Sequence, residues 1–174
     1  MVSYCQFCRA EPEDSLHKRY HDTQYGVVLH DDSELFARLV LEINQAGLSW
    51  TTILKKVDNF HIAYNNFDIA KVARYTEQDR QRLMNDAGIV RNRLKINAAI
   101  VNAQRILDLQ QQHGSFKHWL DLHCGLNKEQ WTRLFKKTFV FTGGEIVNEF
   151  LMSTAYLTGA HDTDCPMYKK LTNI

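Results

Sequence analysis

Apolar residues recur along this chain at intervals of three and four and do not alternate over any useful length, so the pattern predicts helices throughout. After a polar lead-in, Leu35, Phe36, Leu39, Val40 and Ile43 mark a helix from about Ser33 to Gln45, with Gly47 as its stop. Ser49 caps a second, Trp50 to about Tyr64, striped by Ile53, Leu54, Val57 and Phe60. A short helix runs from Asp68 through Val72, and Thr76 to Asp79 has the form of a capping box for another reaching Asn85. The longest spans about Arg91 to Gln112 on Ile96, Ile100, Ala103 and Ile106. Segments at Phe116 to Leu122 and Lys128 to Lys137 follow, the latter capped by Asn127. Phe139 to Gly144 forms a tight apolar turn that feeds a helix from about Glu145 to Leu157, and a polar tail closes the chain. The fold class is therefore all-α.

Composition adds little to this picture. An apolar fraction of 44% and a charged fraction of 24% are ordinary globular values, and 174 residues suit a single domain with its core at about 33–158. No apolar run approaches a membrane span, and the first residues lack a basic start leading into an apolar stretch. The expectation is a cytoplasmic protein without a membrane partner, and nothing requires more than a monomer. Net charge is only +1, so bulk charge favours no nucleic-acid role. The local clusters Lys55-Lys56, Arg91 to Lys95, Lys136-Lys137 and Lys169-Lys170 read more readily as solvated helix faces than as phosphate contacts.

The chemistry begins at Glu42. It lies three residues after Leu39 and seven after Leu35, on the apolar face of its helix. A carboxylate there is paired, hydrogen-bonded or part of a pocket that receives a cation or a ring with N–H donors. The following run, Gln45-Ala46-Gly47-Leu48-Ser49-Trp50, places an apolar Leu on a turn and a Trp at a helix start. Leu48 suits a wedge into a base stack, and Trp50 a surface for an extruded base. Metal ligands are also available. Cys5 and Cys8 form a CxxC near one end, and His161 stands four residues before Cys165 near the other. One pair from each end would complete a tetrahedral zinc site and pin the termini together. Spacing does not choose between Cys5 and Cys8.

Tyr20 to Gly26, Glu42 to Trp50, Lys55-Lys56 and Asp86 to Arg93 together resemble the 3-methyladenine DNA glycosylase I family, over most of the chain from Cys8 to Cys165. The resemblance implies a helix-hairpin-helix DNA glycosylase fold that hydrolyses the N-glycosidic bond of 3-methyladenine in double-stranded DNA, without lyase activity. It also implies one structural zinc held by Cys8, His21, His161 and Cys165, stapling 1–32 to 159–174. Glu42 falls on the catalytic, base-recognising carboxylate, Tyr20 on its hydrogen-bonding companion, and Trp50 and Tyr25 on aromatic walls. Leu48 falls on the residue that fills the gap left by the base, and Gly143 and Gly144 on the DNA-gripping hairpin. Four positions depart from the family pattern: Ala10 for an aromatic, Tyr25 for Trp, and Glu145 with Glu149 for neutral residues. These departures motivate a second reading, a zinc-stapled homologue that binds DNA or base without excision.

Overall fold

The computed structural model describes residues 2–172 and is all-helical over them, with no strand among the described residues. Two helices come first, α1 (Tyr4–Ala10) and α2 (Leu16–Thr23), followed by the central α3 (Asp32–Gln45). Then come α4 (Trp50–Leu54), α5 (Val57–Ala63), α6 (Ile69–Val72) and α7 (Glu77–Met84). The long α8 (Arg93–His113) leads into α9 (Phe116–Leu122), α10 (Lys128–Thr138), α11 (Gly144–Ser153) and α12 (Pro166–Thr172). No helix among the described residues is long and apolar enough to cross a membrane.

One apolar cluster draws on α3 and on most elements from α4 to α11, with Phe36, Phe60, Phe67, Trp131 and Phe150 fully enclosed. Helix α3 lies within it and packs against α4, α8, α9 and α11. Its residues from Leu35 to Asn44 are all buried, which removes Glu42 from water. A second, small cluster joins Cys5, Cys165 and Met167.

Four elements differ from the sequence expectation, the first being the polar tail, which forms α12. The polar lead-in is two capped helices, α1 with a Ser3–Gln6 capping box and α2 with Ser15 as N-cap. Their buried faces consist of Cys5, Cys8, His17, Tyr20 and His21, residues that do not register as an apolar stripe. The expected helix from Trp50 to Tyr64 breaks at Lys55-Lys56, where the Lys56 ammonium donates to the Ala87 carbonyl at 3.1 Å. The last core helix stops at Ser153 rather than Leu157. There the Ser153 and Thr154 hydroxyls donate to the Phe150 carbonyl, and Ala155 takes a left-handed φ of 66°.

Candidate base pocket and metal centre

The carboxylate on α3 opens into a cavity of about 440 Å³. Tyr20 from α2, Tyr25 just beyond it, Gln45 and Trp50 line this cavity with Glu42, and Tyr4, Glu145 and Glu149 complete the wall. Glu42 is 5% exposed, and among the described residues no side chain donates a hydrogen bond to it. Burial pushes its carboxyl from an ordinary 4.5 up to about 8, with Arg38 lowering it in part and Glu149 raising it further. Arg38 is committed elsewhere. Its guanidinium lies 5.2 Å from the Tyr20 ring centroid and donates to the Ser153 carbonyl at 3.1 Å. The Tyr20 hydroxyl and the Trp50 Nε1–H are also buried and without partners. A native interior rarely leaves three polar groups unsatisfied around one space unless something else satisfies them.

The aromatic walls support one another. Tyr20 packs on Trp50 with ring centroids 5.2 Å apart, and Tyr4 meets Tyr25 edge-on at 5.3 Å. Tyr4, which the sequence pattern did not single out, also lines the cavity. Ala10 is exposed at the end of α1 and does not line the cavity.

The turn after α3 is held rigid. Gly47 takes a left-handed φ of 79°, and Leu48, 39% exposed, projects from the turn. The Gln45 side chain donates to the Leu48 carbonyl at 2.8 Å, while the Leu48 N–H donates to the Gln45 carbonyl at 2.7 Å. Below it, the buried Lys95 ammonium donates to the carbonyls of Asn44 and Ala46 at 2.8 and 2.6 Å. The turn between α10 and α11 is held in the same way. Asn102, fully buried, donates to the Val140 carbonyl at 3.1 Å and accepts from its N–H at 2.9 Å. Lys95 and Asn102 are seven residues apart on α8, so they share a face and sit roughly 10 Å apart along the axis. Helix α8 thereby sets the Leu48 turn beside the Gly143-Gly144 turn. A Cβ added at Gly143 would meet nothing within 4 Å, so this backbone, at the N-terminus of α11, is open to a neighbour. Lys95 and Asn102 were legible only as polar residues beside the apolar stripe of the longest helix.

A second centre ties the ends together. The ligand atoms of Cys5, His21, His161 and Cys165 all lie within 4.8 Å of one another, and all four residues are buried. His21 Nε2 is 3.2 Å from Cys5 Sγ, 3.2 Å from His161 Nδ1 and 3.8 Å from Cys165 Sγ. His161 Nδ1 is 3.6 Å from Cys5 Sγ and 3.9 Å from Cys165 Sγ. Tetrahedral coordination with zinc-like bond lengths requires edges of about 3.3 to 3.8 Å, so the set fits a metal ion. The outer nitrogens are fixed as metal-site histidines usually are. His21 Nδ1 lies 2.6 Å from the Asp22 carboxylate, and His161 Nε2 donates to the Tyr25 carbonyl at 2.8 Å. Gly26 makes that approach possible, because a Cβ there would come within 2.9 Å of Ala160. The cluster corrects one expected ligand, Cys8. The register of α1 turns Cys5 into the cluster, while the Cys8 thiol lies 3.7 Å from the His17 carbonyl.

The chain as a whole is similar to known proteins. A profile of the methyladenine glycosylase family matches residues 10–141. The chain belongs to that family. DNA-3-methyladenine glycosylase 1 of Escherichia coli (strain K12) is 44% identical over 109 residues, which is 63% of this chain and 58% of that enzyme. The DNA-3-methyladenine glycosylase of Haemophilus influenzae is 31% identical over 173 residues, covering 88% of this chain and 93% of the relative. The solved structure of 3-methyladenine DNA glycosylase I from Staphylococcus aureus, described with its recognition of 3-methyladenine, superposes with a TM-score of 0.83 at 32% identity. That match covers 94% of this chain and 97% of the other. Family membership makes the protein a hydrolase of N-glycosyl bonds.

Proposed function

We propose that the protein removes 3-methyladenine from double-stranded DNA by hydrolysing its N-glycosidic bond, leaving the strand intact. The observation that carries this reading is the buried, unpartnered Glu42 carboxyl in a cavity lined by Tyr20, Tyr25 and Trp50. Methylation at N3 makes the adenine cationic, so it departs as a neutral base with the bonding electrons, and water adds to C1′ as a proton returns to solvent. The enzyme then needs to extrude the nucleotide and to prefer a cationic purine. Glu42, protonated near neutral pH before the base enters, supplies that preference by releasing its proton to solvent and facing the cationic base as the catalytic carboxylate. The Tyr20 hydroxyl and Trp50 Nε1–H give it direction, and the rings of Trp50 and Tyr25 hold the base flat.

Leu48 fills the stack that the base has left, and the backbone at Gly143 and Gly144 grips a phosphate. Both turns are braced from α8, by Lys95 and Asn102. Among the cavity-lining residues no lysine is present to form a Schiff base, which supports simple hydrolysis. The metal is a zinc held by Cys5, His21, His161 and Cys165. When bound it would supply folding energy, and the His161 hydrogen bond to the Tyr25 carbonyl couples the staple to the aromatic wall. The working unit is a single domain, acting as a cytoplasmic monomer.

Binding without excision is the less favoured reading, because the cavity retains its carboxylate, both unpaired donors and its aromatic walls. The test is incubation with N-methylated duplex DNA, with chromatography of the released bases and electrophoresis of the strand. The expected result is free 3-methyladenine and an abasic strand that breaks only after alkali. Strand scission without alkali, or no base released by the metal-loaded protein, overturns the proposal.

A further inference from the structure

A second cavity shares the wall formed by Tyr20 and Trp50, and base excision makes no use of it. It measures about 500 Å³ and runs between α2, α3, α4 and α5. Tyr20 and Trp50 line both spaces, whereas Glu42 lines only the first. Leu29, Leu41, Leu54 and Val57 give the second cavity apolar sides. Its mouth carries the exposed Arg19, Glu34 and Asp58.

Arg38 enters this cavity from the middle of α3 and is only 5% exposed. A guanidinium has five N–H donors and always carries its charge. Arg38 uses one donor, from Nη1 to the Ser153 carbonyl, and its guanidinium lies over the Tyr20 ring. Its Nε–H and Nη2 have no partner among the described residues, and neither belongs to the fully enclosed atoms left without one. They therefore reach open space, and the space that Arg38 lines is the second cavity rather than the base pocket. No carboxylate compensates the charge. Arg38 forms no salt bridge among the described residues, and Glu34, one turn earlier on α3, is exposed at the mouth. Glu42, one turn later, opens into the base pocket, and burial keeps it protonated near neutral pH. A cation this deep in an interior is ordinarily paired.

The free edge of Arg38, Nε with Nη2, presents two parallel N–H groups, a geometry that takes both oxygens of one carboxylate. A single guanidinium at the floor balances a single negative charge. Glu34 and Asp58 at the mouth work against a doubly charged phosphate monoester, and the aliphatic sides favour an apolar body. We infer that this cavity is a second binding site, for a small monocarboxylate with an apolar body. Its carboxylate sits on Nε and Nη2 of Arg38, and its body lies against Leu29, Leu41, Leu54 and Val57. The inference goes beyond base excision and is read by binding alone.

Phenylacetate is the probe, with phenylacetamide as its uncharged counterpart and inorganic phosphate as the competing anion. Titration of the metal-loaded protein is followed by the Arg38 Nε–H and Trp50 Nε1–H signals in nitrogen–proton correlation spectra. Phenylacetate is expected to move both signals along a single-site curve, with the amide binding at least about ten-fold more weakly. Arg38→Met, checked for an intact unfolding transition, is expected to weaken phenylacetate by about ten-fold or more, read at Trp50. Leu54→Glu keeps Arg38 and places a like charge in the wall, so it should weaken binding as well and serves if the methionine form unfolds early. No saturable shift with phenylacetate up to about 20 mM overturns the inference. Equal binding of the amide, tighter binding of phosphate, or unchanged binding by a folded variant also overturns it.

Discussion

Replacing Glu42 with glutamine should stabilise the folded protein, increasingly so as pH rises, while removing base release. The side chain keeps its shape and loses only its ability to ionise. In the native fold, burial raises the Glu42 carboxyl from 4.5 to about 8. Between those values the folded protein binds more protons than the unfolded chain, so this group's contribution to stability falls as pH rises through the window. The penalty is under about 1 kcal/mol at pH 5 and about 3 kcal/mol at pH 7. Any pH-independent difference between amide and acid cancels when two pH values are compared. The advantage of Glu42→Gln over the native protein should therefore grow by about 2 kcal/mol from pH 5 to pH 7. For a chain of this size that corresponds to about 4 to 8 °C in the difference between unfolding midpoints. The assay is thermal unfolding of both metal-loaded proteins across that range. Titration of the metal site is common to both and drops out of the difference. Midpoints that run parallel from pH 5 to pH 8 would show that Glu42 is not desolvated, and the electrostatic basis of the pocket would fall.

Metal content discriminates the staple's ligands: Cys5→Ser should lose the single bound metal ion and unfold earlier, whereas Cys8→Ser should retain one per chain by elemental analysis. Gly143→Ala should leave the unfolding midpoint within about a degree, because its Cβ meets nothing within 4 Å. The same change should weaken duplex binding several-fold in a fluorescence titration, since the added methyl stands where a phosphate would approach. Lys95→Met should cost about 2 to 4 kcal/mol in denaturant unfolding, because the Asn44 and Ala46 carbonyls lose a charged donor. It should also slow base release by loosening the Leu48 turn.

Most of the helical core was legible in the chain because Leu, Ile, Val and Phe repeat there at helical spacing. Glu42 was legible for the complementary reason, as a charge on an apolar face. Helices α1 and α2 were not, because they bury Cys, His and Tyr, and their hold on the fold comes from capping and from the Cys/His cluster rather than from an apolar stripe. Spacing could not choose between Cys5 and Cys8 for a related reason, and the resemblance pointed to Cys8 where the cluster takes Cys5. Three residues apart on a helix, they share a face, and only the docking of α1 against His21 and His161 decides which thiol enters the cluster. Glu149 was visible only as a departure from the family pattern. Its place in the cavity follows from α11 packing on α3, a long-range contact that local periodicity does not encode.

Base excision by this pocket turns on Glu42 recognising a positively charged base. The most direct test is single-turnover release of 3-methyladenine from a methylated duplex by the native protein and by Glu42→Gln, both metal-loaded and folded. Release by the native protein and a loss of at least a hundred-fold in the variant are expected. Equal rates from the two proteins would contradict that role for Glu42.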